Sequence, residues 1–189
     1  VSTTSCAAGF TNISGATFDN QILTSSSAGT FYIRCIVTSP AGCTTTTNCI
    51  TTVVSVAGDD RCSPNTIVLG TNGPYTNSGA TAGVGDPTVP AGASCTVQNG
   101  WCSAETAIQN NVWFTFTPTV SGQYRFRLDP NRGLFDSQFA LFSNTGGCNG
   151  TFTLLAANDD STGSSPYNSC INAVSLNDGQ TYYFMVDGY

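Results

Sequence analysis

"QTYYFMVDGY", residues 180 to 189, is the stretch whose reading decides the fold. Tyr182, Phe184 and Val186 alternate with Tyr183, Met185 and Asp187, the period of two expected of a strand that turns one face to a core. A strand of this quality normally has a neighbour on each side. Nothing in the sequence follows Tyr189, so the expectation is that the next strand comes from residues outside this sequence, from another subunit, or not at all.

The segments before it repeat the pattern. "NVWFTFTP" sets Val112, Phe114 and Phe116 against Trp113, Thr115 and Thr117, and "GQYRFRLDP" turns Tyr124, Phe126 and Leu128 inward and Arg125 and Arg127 outward. "SQFALFSN", "FTLLAAND" and "INAVSL" complete a series of short strands divided by turn residues such as Asn177, Asp178 and Gly179. That spacing predicts an antiparallel sandwich or jelly roll. No helical period of any length occurs.

Residues 1–57 form a separate β-rich segment. In "TFYIRCIVTSPAGCTTTTNCITTVVSV", Phe31, Ile33, Cys35 and Val37 share one face, Pro40 to Gly42 turn, and Ile50, Thr52, Val54 and Val56 return, which predicts a hairpin. A weaker strand-turn-strand pattern around Gly15 and Asn20 precedes it. The segment is too short for a sandwich of about seven strands. "AGDDRCSP", residues 57 to 64, reads as a linker, so the domains are 1–57 and 58–189. The polar stretch that follows, up to Asn111, holds one strand-like run, "TIVLG". It is expected to wrap the surface as short edge strands pinned by Cys62, Cys95 and Cys102.

Composition narrows the function. Hydrophobic residues make up 40% of 189, enough for a packed core, while charged residues are 8%, with no lysine, no histidine and one glutamate, Glu105. A net charge of -6 with five arginines argues against a groove that tracks phosphates, hence against nucleic acid. No signal peptide opens the chain and no apolar run of about 18 residues could span a membrane. The expectation is a fragment of a longer exported protein.

Nine cysteines point to an oxidising, extracellular or cell-surface setting. Structural zinc would need CxxC-type pairs or histidine, and neither occurs. Cys95 and Cys102 bracket a tight "TVQNGW" hairpin, Cys148 and Cys170 flank the "FTLLAANDDSTG" excursion, and Cys35 and Cys49 stand nearly opposite across the first hairpin. Cys6 with Cys43 is the complementary pair, and Cys62 is left over. Connectivity does not follow from sequence, so other pairings stay open.

Chemistry finds little support. Nucleophilic serine or cysteine needs a base of near-neutral pKa, most often histidine, and neither histidine nor lysine is present. A carboxylate pair drawn from Glu105, Asp136 and Asp160 could hydrolyse glycosides, but nothing in the sequence apposes two of them. The expected answer is no enzyme. Asp136, Asn158, Asp159, Asp160 and Asp187 form a candidate calcium set, since calcium takes six to eight oxygen ligands. The competing reading is that these side chains cap turns. Asn12 in "NIS" and Asn149 in "NGT" match the N-glycosylation pattern, and the hydroxyl clusters Thr24 to Ser27 and Thr44 to Thr47 could carry O-linked sugar. Trp101, in a cysteine-flanked loop, is the aromatic side chain singled out for ligand contact.

"DDRC", "NSGATAGVGDPTVPAG", "CTVQNGWC", "NNVWFTFTPTVSGQYRF", "FDSQFALFS", "LLAANDDS" and "GQTYYFMVDGY" occur in the order found in bacterial pre-peptidase C-terminal domains, which residues 59–189 resemble. The resemblance implies a β-sandwich appended to a secreted protein, with one more turn and strand after the "DGY". Residues 1–57, through "SCAAGFTNISGATFDNQI" and "AGTFYIRCIVTSPAGC", are similar to Ig-like repeats of bacterial surface and adhesin-like proteins. The combined expectation is an all-β, disulfide-stapled chain of two antiparallel sandwich modules, a partial Ig-like one and a jelly-roll-like one lacking its last strand. Its expected role is structural or adhesive. Open strand edges would bind other copies or neighbouring domains and could build a fibre. The alternative is an accessory module of a secreted hydrolase that binds substrate or carbohydrate.

Overall fold

A computed structural model describes residues 1–14, 29–102, 106–128, 136–161 and 167–188. The turn residues Gly15 and Asn20, the cluster Thr24 to Ser27, and Glu105 lie outside the described residues. The chain is all-β, in two compact units, Val1–Ser55 and Val56–Tyr189.

The first unit holds β1 (Gly29–Ile33), β2 (Ile36–Thr38), β3 (Thr44–Thr46) and β4 (Ile50–Val54). β1 pairs antiparallel with β4, placing Ile33 opposite Ile50 and Phe31 opposite Thr52, and β2 pairs with β3. Ser2 bridges to Tyr32 on the second edge of β1, by hydrogen bonds of 2.9 and 2.8 Å. Ser2 is the sole buried side chain among the described residues of this unit, which therefore has no hydrophobic core of its own there.

The second unit contains β5 (Asn65–Thr66), β6 (Val112–Phe116), β7 (Gly122–Arg127), β8 (Ser137–Thr145), β9 (Thr151–Asn158), β10 (Cys170–Leu176) and β11 (Tyr182–Gly188). Five of them form one sheet in the order β5, β6, β11, β8, β9. β11 thus finds both neighbours inside the chain. Phe184 faces Phe114 of β6 on one side and Leu141 of β8 on the other. The expectation that this strand lacks a neighbour is corrected: pairing here does not follow chain order, and β6 and β8 fill both edges.

β11 is also covered on both faces, not one. Tyr182, Phe184 and Val186 join Phe114, Phe116 and Phe139 in one cluster, which the antiparallel pair β7–β10 overlays through Tyr124, Phe126 and Leu128. The Phe126 ring lies 4.5 Å from that of Phe184. Met185 points the other way, into a second cluster with Trp113, Ala140 and Phe142, closed by Val89 and Trp101. Those last two come from the long polar stretch, which beyond β5 makes only isolated bridges among the described residues, Ala91 with Trp101 and Asn99 with Ala157. Of the "TIVLG" run only Thr66 belongs to a strand, while Val68 and Leu69 stand exposed.

The segment read as a linker is built into this second unit. Trp113 N donates to Gly58 O at 2.6 Å, the Asp59 carboxylate accepts from Thr81 N, and Arg61 pairs with the buried Asp86 at 2.9 Å while its Nε donates to Cys148 O. A β-carbon on Gly58, whose φ is +83°, would meet the carbonyl oxygen of Trp113 at 2.7 Å.

Disulfides join Cys6 to Cys49, Cys62 to Cys148 and Cys95 to Cys102. Only the last pair was expected. Cys35 and Cys43 do not bond to Cys49 and Cys6, because the β2–β3 register sets Cys35 opposite Thr47 and Cys43 opposite Ser39. Cys170 does not reach Cys148: it is buried in β10, with its sulfur 3.4 Å from Arg125 Nε, whereas Cys148 lies in the β8–β9 turn. Cys62 is therefore not the odd cysteine, and its bridge closes a separation of 86 residues. Among the described residues no helix is long and apolar enough to cross a membrane, and three disulfides mark an oxidising setting.

Two outcomes are expected. Phe184→Ala, which empties a site buried from both sides, should cost about 3–5 kcal/mol in a urea titration. Peptide mapping without reductant should recover the Cys62–Cys148 bridge and a free Cys170, and replacing both bridge cysteines by alanine should cost about 2–5 kcal/mol.

Candidate functional site

Two features stand out, a trio of carboxylates and an apolar groove. β8 and β9 are antiparallel neighbours, with Phe139 opposite Asn158. The residue before β8 and the two after β9 therefore meet at one end of the sheet. Asp136, Asp159 and Asp160 each bring a carboxylate oxygen within 4.8 Å of the others. Asp159 is buried, and its Oδ2 accepts from Cys102 N at 2.8 Å and from Gln138 Nε2 at 3.2 Å. Burial, and then the charge of Asp159, hold the Asp136 carboxyl above its ordinary pKa. Asp160 is raised by burial first, then by Asp159 and Asp136.

The other two members of the expected calcium set are spent elsewhere. Asn158 Nδ2 donates to Val97 O and Asp160 O, and its Oδ1 accepts from Cys170 N at 2.8 Å. The buried Asp187 carboxylate accepts from the backbone N–H groups of Gln109, Asn110 and Gly188 at 2.7 to 2.9 Å. Both fasten backbone distant in the chain to the sheet, so they act as tertiary ties more than as caps of their own turns. Three carboxylates remain, and the three oxygens they bring together are fewer than the six to eight a calcium ion takes, so bidentate binding, water or backbone would have to supply the rest. Asp136 and Asp160, two of the acids considered for glycoside chemistry, are apposed, but neither lines the groove.

The groove runs beside β7 and has a volume of about 510 Å³. Phe114, Phe116 and Phe184 of the five-stranded sheet form its floor, and β7 forms one wall. The opposite rim carries Val68, 65% exposed, Leu69, 68% exposed, and Tyr75, whose ring meets Phe114 edge-on at 4.9 Å. Asn72 shapes that rim: its side chain accepts from Val68 N and donates to the carbonyls of Val68 and Gly70. The backbone of β7 completes the groove. Leu128 N donates to Ser169 O, toward β10, so by strand alternation Gln123, Arg125 and Arg127 turn their N–H and C=O groups to the opposite edge. Among the described residues no strand pairs with that edge.

Trp101 is corrected as a ligand-contact residue. It is fully buried, and its Nε1 donates to Phe139 O at 3.2 Å, because the loop that carries it is the cover of the sheet's second face. Asn12 and Asn149 are both exposed, as acceptors of glycan need to be. The groove itself was missed in the sequence. Its signal was the out-of-pattern pair Val68 and Leu69, apolar residues that no strand partner claims.

Compared with protein-family models, curated proteins and solved structures, the chain matches none.

The carboxylate trio sets a pH dependence. A carboxyl whose folded pKa is raised binds more protons in the folded state, so its contribution falls as pH climbs through and above the ordinary carboxylate range. In buffer containing EDTA, Asp136→Asn should raise the melting temperature at neutral pH and shrink the difference between pH 4 and pH 7. A fall in melting temperature at neutral pH would contradict this electrostatic account.

Proposed function

We propose that this chain is a non-catalytic structural or adhesive module of a secreted or surface-displayed bacterial protein, joined to its neighbours by strand complementation. The bacterial and exported setting rests on the resemblance of residues 59–189 to pre-peptidase C-terminal domains and on the disulfides. The observation that carries the reading is the groove beside β7. It combines an aromatic floor, an exposed apolar rim and a row of backbone groups on a strand edge that has no partner among the described residues. An added strand satisfies all three at once, through main-chain hydrogen bonds and apolar contact at alternate residues. In this reading the missing strand belongs to the layer of β7 and β10, not to the sheet that contains β11.

An unprotected edge invites association. Contacts made head to tail between copies extend into filaments when their rotation does not close a ring. The rival carbohydrate-binding reading loses its named residue with the burial of Trp101.

Light scattering after size exclusion should give a mass that rises with protein concentration, and negative-stain images should show linear assemblies. Monomers at every concentration up to about 100 µM, an affinity weaker than about -5.5 kcal/mol, would remove the fibre reading.

A further inference from the structure

We infer that the strand received by the groove is β4 from the first unit of a second copy, which would pair its free edge with that of β7. The inference rests on the strand-complementation reading and names the partner in it.

The first unit has what the groove lacks. Its β1–β4 pair is two-stranded, and Ser2 occupies part of the outer edge of β1, so β4 presents the open edge among the described residues. Two-stranded ribbons are marginal in water without a third strand or a packed face. Here the described residues supply little such packing on β4: Ile50 is 66% exposed and Val53 is 71% exposed, while Thr52 and Val54 are half-buried. The sequence of β4, Ile-Thr-Thr-Val-Val, is β-branched throughout and uncharged, the composition of an edge with no guard against pairing.

The dimensions agree. β4 has five residues and β7 six, so at about 3.3 Å per residue each spans roughly 17 to 20 Å. Pairing would extend the two-stranded layer β10–β7 with β4 and β1 of the next copy into four strands. The face of Ile50, Thr52 and Val54, or that of Thr51 and Val53, would then lie over the aromatic floor. Each copy carries one donor and one acceptor on different units, so the contact is head to tail.

The test uses the full chain in two forms. The donor variant carries Ile50→Asp and Val53→Asp, and the acceptor variant carries Val68→Glu and Leu69→Glu, all at exposed positions. A second acceptor variant, Arg125→Pro, removes an edge N–H where a strand tolerates proline; circular dichroism checks that each remains folded. In sedimentation velocity, at a concentration where the unaltered chain is multimeric, each variant alone should run as monomer. An equimolar mixture of donor and acceptor variants should form dimers and nothing larger, because one intact donor meets one intact acceptor. Variants that polymerise like the unaltered chain, or a mixture that stays monomeric, would overturn the assignment of β4 while leaving strand complementation standing. An unaltered chain that is monomeric throughout would overturn both.

Discussion

The five-stranded sheet of the second unit is apolar on both faces, and each face is covered by other parts of that unit. Phe184 and Met185 show the constraint within two residues: adjacent side chains on a strand point to opposite faces, and both are fully buried. A sheet of this kind needs two lids. At about 25 cal/mol per Å² of apolar surface kept from water, either lid weighs heavily against a domain's net stability of about 5–15 kcal/mol.

The two lids differ in kind. One is regular: β7 and β10, whose Tyr124 and Phe126 rings lock onto Phe116 at 5.4 and 5.5 Å. The other is an irregular chain, which buries Trp101 and Val89 but cannot satisfy its own backbone by a ladder. Polar side chains do that work instead. Asp187 takes the N–H groups of Gln109 and Asn110, Asp159 takes that of Cys102, and Asn158 binds Val97 O. Two of the four acids that look like metal ligands in the sequence, Asp159 and Asp187, are fasteners of this lid. Asp136 and Asp160 are the exceptions, crowded beside Asp159 at an electrostatic cost.

The regular lid is narrower than the sheet beneath it. Two strands face five, and the uncovered margin is the groove beside β7. The first unit has the inverse deficit, with strands that expose Ile50 and Val53 and, among the described residues, no core to receive them. The open groove on one unit and, among the described residues, the sparsely packed strand pair on the other are the two observations behind the proposal that the chain is an assembling module.

The alternation in residues 112–116, 124–128 and 182–188 was enough to determine strands and an all-β class, because a period of two is a local property of an extended chain, but not that Trp113 and Met185 on the other face are buried too. The Cys95–Cys102 bridge was legible for the same reason, seven residues apart around one tight turn. What sequence order could not convey was which strands lie side by side. The flanking of β11 by β6 and β8, the burial of Trp101, the Cys62–Cys148 bridge and the gathering of Asp136 with Asp159 and Asp160 all join residues far apart in the chain. Only tertiary structure decided them, since non-local pairing is set by how whole faces cover one another and not by the preference of any short segment.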